Sequence, residues 1–264
     1  MVTDFITWKK IILLVIITLI CVGLAILFLP IVLQPVATHL PTFLKTAVSD
    51  YIALPYERKY GECNNPAGKI ALDDLVVKLA NDSNIKQQFN FEVIDDPIDS
   101  TAFATPGNRI LLFAGIIEVA DTPEQLAGVL AHEMSHAILF HPELSLLHDN
   151  GLFLMLLSMF GKDPSIAHHL LTLKYSRDNE FAADANAVTL LTNAKVGTKG
   201  LIDFLSKIQL NETNAMALQT SLRSHPNVAD RIAAIEELST PVATQPILNT
   251  QQWLAIKSIC VKPS

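Results

Sequence analysis

The chain has 264 residues, a formal net charge of −7 and a hydrophobic fraction of 50%. That length holds one good-sized domain with an appendage, or at most two small domains. Lys and Arg form no run longer than a pair, so the basic footprint of a nucleic-acid binder is missing, while the apolar fraction exceeds that of an ordinary soluble chain.

The apolar excess is local. Residues 11–33 (IILLVIITLICVGLAILFLPIVL) run for 23 positions without a charge. As a helix they would reach roughly 34 Å, against a hydrocarbon core of about 30 Å. A cleaved signal peptide has a shorter apolar region and a small-residue cut site, and no A-x-A-like site follows here. The segment is therefore expected to be one uncleaved transmembrane helix, with residues 1–34 as the anchor and residues 11–33 in the lipid bilayer. Lys9 and Lys10 precede it and only Lys45 follows soon after. This bias puts the N-terminus in the cytoplasm and the rest of the chain outside. Cys21 within the run is a small apolar filler.

Residues 34–55 hold three prolines and a short helical pattern, which suggests a membrane-proximal connector over 35–54 and a main domain over 55–264. Cys63 and Cys260 lie at opposite ends of that domain. In an oxidising compartment they can close it with a disulfide; otherwise they stay two separate thiols. Residues 70–80 (IALDDLVVKLA) have helical apolar spacing. Residues 89–94 (FNFEVI) alternate like a strand, and 102–104 and 110–113 suggest two more, separated by the turn Thr105-Pro106-Gly107-Asn108.

Thr122-Pro123-Glu124-Gln125 offers an N-cap, a proline at the first helical position and a Gln at the third. The helix it opens should run to about Phe140, since Pro142 discourages continuation. Its apolar character on nearly all sides predicts burial. Further helices are expected over 144–160, 165–192, 199–208, 228–237 and 250–259. A few strands followed mostly by helices give an α+β domain, mostly helical, with a small mixed or antiparallel sheet.

The buried helix carries His132-Glu133-Met134-Ser135-His136, the pattern H-E-x-x-H. Positions four apart differ by about 40° in azimuth and about 6 Å in height, so both imidazoles can reach one ion. Glu133, about 100° round, can touch a water on that ion without ligating it. Two histidines and a glutamate in an apolar helix cost roughly several kcal/mol unless partnered, and a divalent cation supplies the partners. A tetrahedral catalytic zinc needs a third protein ligand and an open position. A histidine six residues beyond the second is excluded, because Pro142 stands there. His141 would point about 140° away on a continued helix, so a structural or helix-end role falls to it. Downstream, Glu180 and Asp184 share a helical face. Glu180 can ligate, and Asp184 can accept the N–H of a ligand imidazole.

H-E-x-x-H followed by S-R-x-x-E-x-x-A-D, here Ser176, Arg177, Glu180, Ala183 and Asp184, resembles the HtpX, Oma and CAAX-prenyl-protease family of membrane-linked gluzincin peptidases, peptidase family M48. Thr101-Ala102-Phe103-Ala104-Thr105-Pro106-Gly107-Asn108 resembles that family's N-A-F-A-x-P-G-G segment, with Thr101 and Asn108 departing from it. His141 matches a histidine often found after its H-E-x-x-H helix, and Ser224-His225-Pro226 with Arg231 resembles its late [ST]-H-P…R signature. The opening of the family is matched more loosely by Leu54, Pro55, Glu57 and Gly61. The likeness covers about residues 54–238 and implies a zincin-like fold.

By that resemblance one Zn2+ per chain is held by His132, His136 and Glu180, with Glu133 as general base. His225 is the candidate donor to the oxyanion, or an occupant of the open metal position at rest, or simply a helix-entry residue. Arg231 either orients the site or pairs with an acid. Zinc peptidases of this kind hold substrate along a strand edge, which is expected at Ile110, Leu111, Leu112 and Phe113. Residues 151–160 (GLFLMLLSMF) are too short to cross a membrane, and a single crossing there would strand His136 and Glu180 on opposite sides. They are expected in the core, with residues 144–174 as an alternative lid.

The function so implied is a zinc-dependent endopeptidase acting on unfolded or membrane-associated proteins at a membrane surface, in envelope quality control. The alternative is a non-catalytic, zinc-stabilised chaperone-like module, against which Glu133 speaks, since binding alone needs no base. A prenyl-protein processor fits less well, because by the resemblance that task comes with many spans. The expected setting is a bacterial inner membrane with a periplasmic catalytic domain. A mitochondrial inner membrane is the alternative, disfavoured by the lack of an Arg-rich transit peptide.

Overall fold

The structure is a computed structural model that describes residues 2–81, 85, 87–97, 100–148, 175–210, 225 and 227–261, with some side chains between 2 and 38 left out. It divides into two units, Met1–Leu40 and Pro41–Ser264. In the first, the apolar run lies within one helix, α1 (Val2–Thr38). Most of its described apolar side chains stand exposed, Leu14 by 67% and Leu19 by 65%. Among the described residues no helix is long and apolar enough to cross a membrane.

In the second unit, α2 (Thr42–Tyr60) and α3 (Pro66–Asn81) precede three strands, β1 (Asn90–Ile94), β2 (Ala102–Thr105) and β3 (Arg109–Phe113). Gly107 and Asn108, at φ 84° and 65°, turn the chain tightly and fold β3 back antiparallel on β2. β1 pairs with β3 from the other side, in parallel, so the sheet order is β1-β3-β2. This corrects the expectation that Ile110, Leu111, Leu112 and Phe113 offer an edge to substrate. Neighbours occupy both flanks of β3, and among the described residues the open edge beside it belongs to β2.

Alternation along the strands sorts the side chains to two faces. Ile94, Phe103, Leu111 and Phe113 pack with Val48, Ile52 and Ala53 of α2. The segment expected as a connector over 35–54 is thus divided: from Pro41 onward it belongs to the main unit, because α2 buries an apolar stripe on the sheet. Pro55 sits inside α2 without ending it. Polar contacts fix this helix further. Ser49 Oγ bonds Thr105 Oγ1 at 2.7 Å, and Arg109 pairs with Asp50 and Glu57 of α2 and with Glu92 of β1.

On the opposite face, Phe91, Val93, Ala102, Ala104, Ile110 and Leu112 join the main core with residues of α3, α4 (Ala114–Val119) and α5 (Pro123–Ile138). Thr122 caps α5, its side chain accepting from Gln125 N–H at 3.2 Å. Gln125 reaches back one residue further than a capping box requires, to Asp121 N–H at 2.9 Å. Every residue from Gln125 to Ala137 is buried, as the apolar pattern predicts.

Around α5 pack α7 (Arg177–Asn193) and α8 (Lys199–Leu210), with α6 (His141–His148), α9 (Val228–Leu238) and α10 (Thr250–Lys257) completing the described elements. A disulfide joins Cys63 to Cys260 across a separation of 197 residues. The described architecture is mostly helical with a small mixed sheet, in keeping with the α+β expectation. Residues 149–174, including the apolar 151–160 and most of the suggested lid, lie outside the described residues, as does the start of the helix expected from 165.

Candidate metal centre and active site

His132 and His136 project from one face of α5, and their Nε2 atoms lie 3.0 Å apart. Glu180 enters from the first turn of α7, where Ser176 caps the helix by accepting from Asn179 N–H at 3.1 Å. Its Oε2 lies 3.5 Å from His132 Nε2, and its Oε1 lies 3.5 Å from His136 Nε2. A tetrahedral ion bonded at about 2.05 Å would hold its ligand atoms about 3.3 Å apart. The three donors are set at that spacing. His225, just before α9, completes a group of four potential ligands whose donor atoms all lie within 4.8 Å of one another.

The other side of each imidazole is occupied. His132 Nδ1–H donates to Asp184 Oδ1 at 2.9 Å. His136 Nδ1 meets His141 Nδ1 at 2.8 Å. Burial lowers His141 to about 4, so near pH 7 it is neutral and its Nδ1 can accept from His136 Nδ1–H. With a metal bound at Nε2 of both ligand histidines, these contacts would hold the Nδ1–H tautomers. The continued-helix expectation for His141 is corrected here: α5 stops at Ile138, Phe140 takes a left-handed φ of 58°, and the chain swings His141 back beneath His136. Tyr175 lies flat on the His136 ring, with centroids 4.0 Å apart and planes 17° apart.

Arg231, from α9, is 1% exposed. It grips Asp184 with two bonds, Nε to Oδ2 at 2.7 Å and Nη2 to Oδ1 at 2.8 Å, and its Nη1 lies 3.0 Å from Glu180 Oε2. Burial drives both acids upward in pKa. Hydrogen bonding from Arg231, with the charge of His132, outweighs this at Asp184. His225 and His132 outweigh it at Glu180, holding that carboxyl far below the ordinary range. Glu133 keeps the opposite direction, because burial raises its carboxyl and nothing overcomes it.

Three buried carboxylates, Glu133, Glu180 and Asp184, stand against one buried guanidinium. In the absence of a metal, Arg231 and His132 offset them: burial and the Arg231 charge press the His132 pKa down, yet Asp184 and Glu180 raise it to about 9. A bound divalent cation would take the place of that proton. The donor set of two imidazoles and a carboxylate suits zinc. His225 Nε2 is buried with no hydrogen-bond partner among the described residues, and lies 3.6 Å from Glu133 Oε1. An unpartnered ring nitrogen is thus aimed at the space beside the acid, while Nδ1 of the same ring lies 2.9 Å from Glu180 Oε1.

Glu133 Oε2 also accepts the Ala104 N–H at 3.0 Å. Phe113 N–H pairs with Thr101 C=O, so alternation turns the main-chain groups of Phe103 and Thr105 to β3 and those of Ala102 and Ala104 to the open edge. The acid and the open edge meet at one hydrogen bond. The structure therefore brings His132, Glu133, His136, Glu180, Asp184, His225 and Arg231 together and leaves Ile110 to Phe113 inside the sheet. Ala102, Ala104 and Tyr175 were not singled out as site residues from the sequence. The A-F-A run before the turn was the available signal for the first two.

The sequence profile of peptidase family M48 matches residues 66–239. The chain is 25% identical over 250 residues to a putative beta-barrel assembly-enhancing protease of Vibrio cholerae, covering 83% of this chain and 51% of that protein. It is 26% identical over 169 residues to the mitochondrial metalloendopeptidase OMA1 of Schizosaccharomyces pombe, covering 61% and 49%. With the beta-barrel assembly-enhancing protease of Escherichia coli it shares 22% over 213 residues, covering 74% and 44%. The chain spans about half the length of the curated relatives it matches.

Proposed function

Because this chain belongs to peptidase family M48, we propose that it is a zinc-dependent endopeptidase that cuts protein substrates at a membrane surface. The observation that carries the proposal is the meeting of His132, His136 and Glu180 at ligand spacing, with Glu133 beside them. Those three side chains would hold one zinc ion, which when bound polarises a carbonyl and lowers the pKa of a coordinated water towards about 7.

The chain's own groups do the rest. Glu133 takes a proton from the attacking water and passes it to the leaving amine. A carboxyl raised by burial holds that proton more readily than an exposed one. The N–H and C=O of Ala102 and the C=O of Ala104 pair with the main chain of an extended substrate on the edge of β2, reading backbone more than side chain, while the Ala104 N–H stays with Glu133. His225 donates to the negative charge that develops on the scissile carbonyl oxygen. Asp184, His141 and Arg231 keep the imidazoles and Glu180 in place.

The membrane setting rests on the uncharged run at 11–33, read as a single-pass anchor with the N-terminus cytoplasmic and the metal domain periplasmic. The Cys63–Cys260 bridge supports an oxidising compartment. Relatives named as beta-barrel assembly-enhancing proteases support a place in envelope protein quality control.

The test compares the zinc-loaded full chain with its Glu133→Gln variant on casein. Proteolysis should drop by about a hundredfold or more, while metal analysis still finds one zinc per chain. Equal breakdown by both proteins would mark a contaminant and end the proposal.

A further inference from the structure

The turn between β2 and β3 meets the helix corner that follows the metal ligands. α6 starts at His141, soon after α5 ends at Ile138, and its first turn carries two buried side chains with different partners. His141 Nδ1 lies 2.8 Å from His136 Nδ1. Glu143, 2% exposed, accepts the Gly107 N–H on Oε1 at 3.1 Å, and Lys45 Nζ of α2 lies 3.4 Å from the same oxygen. Lys45 also crowds the turn: its Cβ would stand 3.3 Å from a Cβ on Gly107, and its ammonium lies 5.3 Å from the centre of the Phe140 ring. One short helix thus grips both the imidazole of His136 and the turn that ends β2.

We propose that Glu143 is a positioning residue for peptide-bond cleavage, holding the β2–β3 turn, and with it the edge of β2, in register with His136. The inference rests on the peptidase reading above and adds a residue that reading leaves idle. Two observations carry it. Ser49 and the pairing with β3 tie β2 to α2 and to the sheet, whereas two buried carboxylates tie it to the metal centre, Glu133 at the Ala104 N–H and Glu143 at the Gly107 N–H. Gly107 is itself exposed and has no side chain to pack, so the carboxylate of Glu143 supplies a restraint that packing does not.

The two holds differ in the reaction. Glu133 takes up the proton of the attacking water, and a neutral carboxyl accepts more weakly than a carboxylate. Glu143 has no such duty, so it keeps the strand in place when the grip at Ala104 slackens.

The test assays the zinc-loaded full chain on a quenched fluorescent peptide taken from a casein cleavage site. Glu143→Met keeps the volume and removes the acceptor. Its kcat should fall by about tenfold or more while KM moves by less than about threefold, because a displaced strand still binds peptide but presents it out of line with the metal centre. Zinc content should not change. Glu143→Gln, whose amide oxygen can accept from Gly107, should restore kcat to within about threefold of the wild type. Leu146→Ala, at a buried position of the same helix, is the control for lost stability: it should lower the melting temperature with no comparable fall in kcat. A folded, zinc-loaded Glu143→Met with wild-type kcat would overturn the positioning role and leave the peptidase standing. So would a Glu143→Gln variant as impaired as Glu143→Met, or a Leu146→Ala variant that loses as much kcat. If Glu143→Met does not fold, Glu143→Asp takes its place; it keeps a charge near Lys45 and draws the acceptor back from Gly107, with the same fall in kcat expected and a wild-type kcat again overturning the role. If the wild type cleaves no better than Glu133→Gln, the peptidase itself falls and the positioning role falls with it.

Discussion

Asp184 serves two partners at once, accepting from His132 on one oxygen and from Arg231 on both. Its negative charge matters to each, since it makes the imidazole a better ligand and neutralises a guanidinium that water does not reach. Asp184→Asn keeps the shape and removes the charge. Zinc affinity, measured against a competing chelator, should fall by about 10–100-fold, and the buried Arg231 should cost the fold stability of order 3 kcal/mol. Glu143 is a different case. It is 2% exposed, accepts from Gly107 N–H at 3.1 Å and lies 3.4 Å from Lys45 Nζ, yet burial raises its pKa despite these partners. An acid raised on folding favours the folded state below its unfolded pKa, and that contribution is lost as pH rises through the folded value. Glu143→Gln keeps an acceptor for Gly107 and has no charge to bury. Its melting temperature should therefore gain on the wild type as pH rises from about 4 to 7, and a gain that shrank over that range would contradict the assignment. At this scale the sequence was a good guide where helical spacing sets geometry, as for His132, Glu133, His136, Glu180 and Asp184. It failed at His141, whose position depends on a left-handed residue at Phe140. Phenylalanine carries no local signal for that conformation.

Among the elements, α5 and α8 cross so closely that side chains are excluded between them. A Cβ on Gly128 would stand 2.7 Å from Leu201 Cα, and one on Gly200 would stand 2.3 Å from the Glu124 carbonyl oxygen. Both neighbours are backbone and cannot turn aside. Gly128→Ala should therefore destabilise by about 1–3 kcal/mol, seen as a lower melting temperature. Periodicity located most of these elements, but it does not state who pairs with whom. The tight turn between β2 and β3 was legible from Pro106-Gly107-Asn108. The parallel pairing of β1 on the far flank of β3 is a long-range contact with no local cue, and it moved the open edge from β3 to β2. The helical pattern before Pro55 was legible, but its continuation to Tyr60 was hidden by that proline, which ordinarily signals a break, and its place in the main unit rests on Val48 and Ile52 packing on the sheet.

The whole main unit is closed by one covalent link. Cys63 lies just before α3 and Cys260 just after α10, and these two helices pack on each other, with Gly68 of α3 set against Ala255 of α10. Replacing both cysteines by serine should cost about 2–4 kcal/mol, read as a lower midpoint in urea, and the same loss should follow treatment of the wild type with a reductant. A midpoint indifferent to reduction would show that the helix packing alone sets the closure.

The metal centre also has a direction in time. Its two imidazoles are translated first, its carboxylate ligand later, and Arg231, which braces that carboxylate, later still. A ribosome that has produced only the first of these helices has made a pair of histidines with no third ligand to fix an ion between them. On the proposed function, hydrolytic competence would therefore arrive late in synthesis and only in a folded molecule.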